Sequence, residues 1–301
     1  MLVNLKPLKL ILIAVSSTVL FSCGSEQADK ELTGDGKDSS ATNVDLDKLA
    51  EVQKIFYTIP SPMEMASLLK KSGSMYDASI LNDIHNVSKY TSVRNQALNL
   101  GIYGADLSYT SIFNQNQESI IYLSCAKQLA DNMGVTNAFT KQTMERIEGN
   151  VENRDSLLDI ISESFYILDA YLKENNRDNI SAMVIAGGWL EGLYIATKLL
   201  KENQNDPDLV ERIAEQKLSL SNLIALVKQY PDDPALKDIL ADLQSVNTIY
   251  DKVQINTEGG EVTKDKKGGT VIGGKSTITM APEVLKEIIT TVAAIRTKYV
   301  G

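Results

Sequence analysis

One histidine, His85, serves the whole chain of 301 residues. That excludes metal sites built on two imidazoles, including the H-E-x-x-H zinc helix. A Ser-His-acid triad would have to use His85, which sits in the weakly patterned stretch LNDIHNVSKY, and the chain has no G-x-S-x-G elbow to present a nucleophile. His85 is expected on the surface or in a loop. Calcium has no D-x-[DN]-x-[DN]-G loop; DGKDSS, near the N-terminus, lacks the spacing and the distal Glu. No metal and no cofactor is expected. Cysteine is equally scarce, with only Cys23 and Cys125. Basic residues are in deficit, 30 against 39 acidic, for a net charge of −9. An acidic chain is a poor partner for phosphate backbones, so nucleic acid binding is not expected.

The first residues read MLVNLKPLKLILIAVSSTVLFSCGS. Lys6 and Lys9 make a short basic region, and an uncharged, mostly apolar run follows from Leu10 to Phe21. Roughly a dozen residues fall short of the about 20 that a spanning helix needs. They have the proportions of the apolar core of a secretory signal. The run ends Leu20-Phe21-Ser22-Cys23, which resembles a lipobox, the signal read by lipoprotein signal peptidase. The resemblance implies that residues 1–22 are a signal peptide that is removed and that Cys23 becomes the lipidated first residue. Two acyl chains already anchor a protein stably, so a three-chain lipid would hold it on a membrane without help from the fold. Gly24 stands where Asp signals inner-membrane retention in Gram-negative lipoproteins, which favours the outer membrane. The acidic stretch from Ser25 to Glu31 resembles surface-export signals of Bacteroidota-type bacteria, so the anchored body faces the periplasm or the cell surface. Loss of Lys6 and Lys9 takes the net charge from −9 to −11. With Cys23 lipidated, Cys125 is the only free thiol, no intramolecular disulfide can form, and stability must come from a packed core. Cys125 falls in a helical pattern and is expected as a buried small hydrophobe.

About 280 residues remain after the signal, enough for one large domain or two small ones. Residues 23–43 are polar and rich in Gly, Ser, Asp and Lys, a composition that cannot bury enough apolar surface to order itself. They read as a tether between lipid and fold. Residues 44–253 are patterned as helix almost throughout. Ser61-Pro62-Met63-Glu64 is a capping box with Pro at the first helical position. Asp206-Pro207 and Asp233-Pro234 repeat the cap-then-Pro device. Leu157, Ile161, Phe165, Leu168 and Leu172 make one clear stripe. Helices are expected near 45–57, 61–72, 92–113, 116–133, 137–148, 154–175, 179–203, 207–230, 233–253 and 281–299. The fold class is therefore all-α. Short links force sequential neighbours antiparallel, in a bundle or a solenoid of helix pairs. GGWLEGLYIATKLL has the flavour of a tetratricopeptide opening, but the 34-residue period of that family is absent. Residues 281–301 are expected to pack back on the helical body.

Two helices carry small residues at i, i+4 spacing. One has Ala97, Gly101 and Ala105; the other has Gly188, Gly192 and Ala196, with Gly187 adjacent. Glycine inside a helix costs up to about 1 kcal/mol relative to Ala, and close approach of two backbones is the usual offset. These helices are expected to pack on each other or on a shared third. The best polar candidates lie in the same two helices. Asp106 falls on the otherwise apolar or aromatic line Ile102, Asp106, Tyr109, Phe113, and Glu191 lies close to the small-residue face. A carboxylate on such a face is paired or shifted in its pKa. Ringed by Tyr103, Tyr109, Trp189 and Tyr194, the two could bind a polar ligand or do acid–base work. Alternatively they fix how the helices dock, paired with a Tyr, an Asn or one of Arg94, Arg146, Arg154 and Arg296. Tyrosine outnumbers phenylalanine 12 to 5, which suits partly wet contacts or a binding groove.

Residues 254–280 break the helical pattern. Inside them GGTVIGGKST, from Gly268, fits the P-loop consensus G-x-x-x-x-G-K-S. A P-loop needs a buried strand before it and a helix N-terminus directly after it. Upstream lies the charged EVTKDKKG; downstream, ITM and Ala281-Pro282 delay the helix. No nucleotide is expected. Thr270 to Ile272, a Gly273-Gly274 turn and Lys275 to Ile278 read instead as a short hairpin.

The lipobox LFSC, the segment IPSPMEMASLLKKSG and ALNLGIYGADLSY together resemble the uncharacterised, mostly helical lipoproteins of Bacteroidota-type bacteria. That resemblance implies location and fold and brings no activity and no catalytic residues. The expected function is an envelope lipoprotein whose non-enzymatic helical body binds or scaffolds a protein partner. The alternatives are a small polar-ligand binder centred on Asp106, Glu191 and the aromatics, or an enzyme using the same carboxylates.

Overall fold

The computed structural model describes residues 73–202, 206–257, 262–264, 270–272 and 276–301. Cys23, the signal segment, the tether and the helices expected at 45–57 and 61–72 lie outside the described residues. Eight α-helices stand among those described: α1 Val93–Ile112, α2 Asn116–Asn132, α3 Lys141–Glu148, α4 Arg154–Glu174, α5 Asp178–Glu202, α6 Pro207–Val227, α7 Pro234–Tyr250 and α8 Pro282–Val300. Each starts within four residues of its expected position.

Local chemistry accounts for the boundaries. Asp206 and Asp233 cap α6 and α7, each accepting from two backbone N–H groups of the first turn, with Pro at the first helical position. Asn114, Gly134 and Asn176 adopt positive φ just past the ends of α1, α2 and α4. That left-handed residue closes off a helix and sends the chain back within a few residues.

The architecture is a bundle organised around α1 and α5, which form the most extensive helix pair although three α-helices and a short 3-10 helix, Thr136–Phe139, separate them in sequence. A helix-pair solenoid would pair only sequence neighbours, so the bundle is the arrangement adopted. Around the central pair, α2 and α4 pack on α1, α6 packs on α5, and α8 returns to lie on α5, α7 and α1. The central helix α5 is long and apolar enough to cross a membrane by composition, yet most of its surface is buried inside the bundle. A helix apolar on all sides is what a core position requires.

Glycine sets the approach of the central pair. A Cβ added at Gly101 would lie 2.6 Å from the Gly188 nitrogen and closer still to the Val184 carbonyl oxygen, and one added at Gly187 would strike the Leu98 carbonyl oxygen. The two backbones therefore touch, as the small-residue pattern predicts. Gly192 does not belong to this contact: an added Cβ there meets nothing within 4 Å. The helix surface has turned away from α1 by that position, so the working small-residue patch is Gly187 and Gly188.

Residues 254–279 form antiparallel ladders, as the loss of helical pattern implies, but with different pairing. β1 Gln254–Thr257 pairs with β4 Ser276–Thr279, and β2 Val262–Lys264 pairs with β3 Thr270–Ile272. The hairpin expected between β3 and β4 is not the pairing adopted, and its Gly273-Gly274 turn lies outside the described residues. β3 and β4 instead take the upstream strands β2 and β1 as partners, in an arm of two ladders. Four residues separate β1 from β2 and three separate β3 from β4, so the register slips by one between the ladders. The root of the arm is fixed to the body: β4 packs on α6, and Ile278 and Met280 lie against the core.

Candidate functional site

Asp106 on α1 and Glu191 on α5 meet in the core, both with 0 % of their surface exposed. The close approach at Gly101 and Gly188 makes this possible, since it brings the helices near enough for short side chains to reach across. Arg296 of α8 completes the group. Its Nε donates to Glu191 Oε2 at 3.1 Å and its Nη2 to Glu191 Oε1 at 3.0 Å. This is the bidentate fork that suits guanidinium to carboxylate. Nη2 also donates to the Ile80 carbonyl oxygen, and the guanidinium lies over the Tyr194 ring at 4.6 Å. Of the four arginines named from sequence, Arg296 is the partner.

Asn82 joins the group from the segment before α1. That segment runs as two short 3-10 helices, Ala78–Ile80 and Ile84–Lys89, capped by Asp77 and Asp83. The link between them, Leu81-Asn82, is buried. The Asn82 N–H donates to Asp106 Oδ2 at 3.2 Å. Its side-chain amide donates to Tyr90 Oη and Asn99 Oδ1, and its carbonyl accepts from Tyr122 Oη. Asn99 and Tyr90 in turn donate to the carbonyl oxygens of Tyr299 and Val300, satisfying acceptors that the end of α8 leaves open. One polar network thus ties the 77–91 segment, α1, α2, α5 and α8 together.

The electrostatics follow from burial. Loss of water pushes the Asp106 carboxyl well above its ordinary range, the neighbouring Glu191 charge pushes the same way, and Arg296 opposes. Burial also raises Glu191, against the pull of Arg296. Burial would lower the Arg296 guanidinium, but Glu191 outweighs it and the net shift is upward. Burial pushes the nearby Cys125 thiol up to about 11, with a smaller contribution from Asp106.

The six residues named from sequence divide in the structure. Asp106, Glu191, Tyr103 and Tyr194 surround the network; the Tyr103 hydroxyl donates to the Asp83 carbonyl oxygen. Trp189 leaves this face of α5 and donates its indole N–H to Ser219 Oγ on α6 at 3.0 Å. It stands two residues before Glu191, on the opposite side of α5. Tyr109, one turn on from Asp106, is engaged with Tyr76, on which it stacks, and with the Asp77 N–H, from which it accepts. All six are buried. A cavity of about 270 Å³ lies at the turn between α6 and α7, lined by Val227, Tyr230, Pro231, Leu236 and Leu240, and none of the six lines it. His85 is exposed and paired with Asp83. Ser276, which a P-loop would place at a helix N-terminus, opens strand β4. Among the described residues no group of three or more His, Cys, Asp or Glu side chains is placed to hold a metal.

Asn82 and Asn99 were not singled out from sequence. Asn99 carries the same signal as Asp106, a polar residue inside the apolar run ALNLGIYGAD. Asn82 carries none, since its burial depends on how a non-helical segment folds across α1 and α2.

The chain matches no protein-family model, no curated protein and no solved structure. Residue roles therefore rest on the geometry alone.

Proposed function

We propose that the protein is an outer-membrane lipoprotein, anchored through lipid on Cys23, whose helical body is a non-enzymatic binding or scaffolding domain for an envelope protein. The anchor half rests on sequence: the Lys6 and Lys9 flank, the apolar run from Leu10 to Phe21, and LFSC. One observation carries the other half. The two carboxyl groups best suited to chemistry have 0 % exposure, and Glu191 spends both oxygens on Arg296. Groups committed in this way fix helix docking and present nothing to a ligand, which leaves the outer surface of the bundle as the working part.

Complementation of a deletion strain tests both halves. Wild type takes up palmitate label and fractionates with outer membrane; Cys23→Ala loses the label and the location. If Cys23→Ala remains with membrane, the anchor is elsewhere. Asp106→Asn complements as well as wild type. Loss of complementation by a normally folded, normally located Asp106→Asn protein overturns the structural role of the carboxyl pair.

A further inference from the structure

The three ionisable groups at the centre of the bundle do not balance as ions. Two carboxylates and one guanidinium leave one uncompensated negative charge among buried neighbours, which a low-dielectric interior strongly disfavours. The hydrogen bonds show where the imbalance falls. Glu191 has both oxygens on the Arg296 fork. Asp106 has one backbone donor, the Asn82 N–H on Oδ2, and its buried Oδ1 receives no donor. Beside it stands Glu191, whose charge adds to burial in pushing the Asp106 carboxyl up. Two carboxyl groups can share a hydrogen bond only if one of them holds a proton.

We propose that the folded protein keeps a proton on Asp106 Oδ1, donated to Glu191, and that this proton completes the latch by which Arg296 fixes the C-terminal helix α8 to α1 and α5. Protonation turns the orphaned Oδ1 from an acceptor without a donor into a donor with an acceptor. It reduces the charges to one of each sign, the arrangement a buried pair tolerates. The proton belongs to Asp106, because a bidentate guanidinium favours the ionised form of its own partner. The other titratable groups that act on Asp106 are Tyr90 on the preceding segment, Tyr103 on α1, and Tyr122 and Cys125 on α2. Burial raises all four, so they stay neutral through the neutral range. Glu191 and Arg296 are the charges it meets.

The sign of the pH dependence follows. In the unfolded chain Asp106 releases its proton near pH 4; in the fold it holds it to higher pH. Across that interval the folded state binds one more proton, so stability falls as pH rises, by tenfold in the folding equilibrium for each pH unit. The contribution is fully present in acid and lost as pH climbs through the folded pKa.

Asp106→Asn tests this. Asn keeps an acceptor for the Asn82 N–H, offers an N–H to Glu191, and cannot ionise. Urea unfolding of wild type and variant is followed from pH 4.5 to 9, and the ratio of their folding constants is taken at each pH. The expected result is a tenfold shift per pH unit in favour of the variant until Asp106 ionises in the fold. A flat ratio means that Asp106 is ionised in the folded state, held by a bound water or cation, and overturns the proposal. Failure of Asp106→Asn to fold overturns it equally, because the isostere of the protonated form should keep the latch. Infrared spectroscopy gives a second measure: wild type at neutral pH shows a protonated-carboxyl C=O band that the variant lacks. Identical spectra in that region refute the proton.

Discussion

Two alanines on the central helix pair should act in opposite directions. Both Gly101 and Gly192 lie inside helices, and Ala at either gains about 0.8–1 kcal/mol in helix propensity. They differ only in what the new methyl meets. At Gly192 it meets nothing within 4 Å, so the propensity gain stands alone. At Gly101 it lands about 1 Å inside the 3.0 Å that Cβ atoms keep from other atoms, and the obstacle is the carbonyl oxygen of Val184. A backbone carbonyl cannot swing aside as a side chain can, so the helices must part. A gap of 0.5–1 Å forfeits a quarter to a half of each dispersion contact across it, and overpacked cores lose about 1–3 kcal/mol, occasionally more. Here Ala97, Leu98, Ile102, Val184 and Ile185 are all buried along the two helices, so the upper end of that range applies. Less the propensity gain, Gly101→Ala should lose about 2 kcal/mol, or about 4–8 °C in Tm for a domain of this size. Gly192→Ala should gain about 1 kcal/mol, or about 2–4 °C. Thermal and urea unfolding of the chain begun at Gly24 measure both. Equal stability of Gly101→Ala and wild type would refute backbone contact at this crossing. A destabilising Gly192→Ala would refute the open position on α5.

The polar core and the buried thiol each give a further test. Arg296→Met removes the cation from Glu191 and Asp106 and should cost about 3–5 kcal/mol at neutral pH. Burial raises the Glu191 carboxyl and Arg296 opposes it, so without the guanidinium Glu191 can take a proton in acid and the loss should shrink from pH 8 to pH 5; a loss independent of pH would show that the guanidinium matters only for packing. Cys125 is buried, with its thiol pushed up to about 11. In the chain begun at Gly24 it should resist alkylation at pH 8 when folded and react fully in denaturant. Rapid labelling of the folded protein would place the thiol at the surface.

Helix positions were legible because each rests on a local signal. Asp206-Pro207 and Asp233-Pro234 start helices at the sites where they stand, and the glycines of α1 and α5 announce a close packing partner before the partner is known. The small-residue spacing of α1 and α5 pointed each at the other, but local pattern left bundle and solenoid both open, because it does not say how the elements between those two helices are laid around them. The arm shows the same limit. The Gly273-Gly274 pair is a good local turn, yet a two-residue turn there would leave Gln254 to Lys264 without strand partners. Pairing both ladders satisfies more backbone groups. Local turn chemistry lost to a non-local gain in hydrogen bonds.

The carboxyl site divides along the same line. Asp106 and Glu191 stand out in sequence because each interrupts an apolar face, and Arg296 was one of four candidate partners. What sequence could not supply is the closure, in which α8 delivers the guanidinium and Leu81-Asn82 delivers a backbone N–H to Asp106. The glycine contact and the carboxyl pair are also parts of one design. Gly101 and Gly188 let the backbones meet close to where Asp106 and Glu191 face each other. Any change that widens the crossing also parts the two carboxyl groups, and sites that share a contact do not act additively. A bundle that places its helix-contact glycines and a buried acid pair at the same crossing has placed its specificity there. The polar groups punish any other register of α1 on α5, and the single arginine of α8 then selects one place for the last helix to dock.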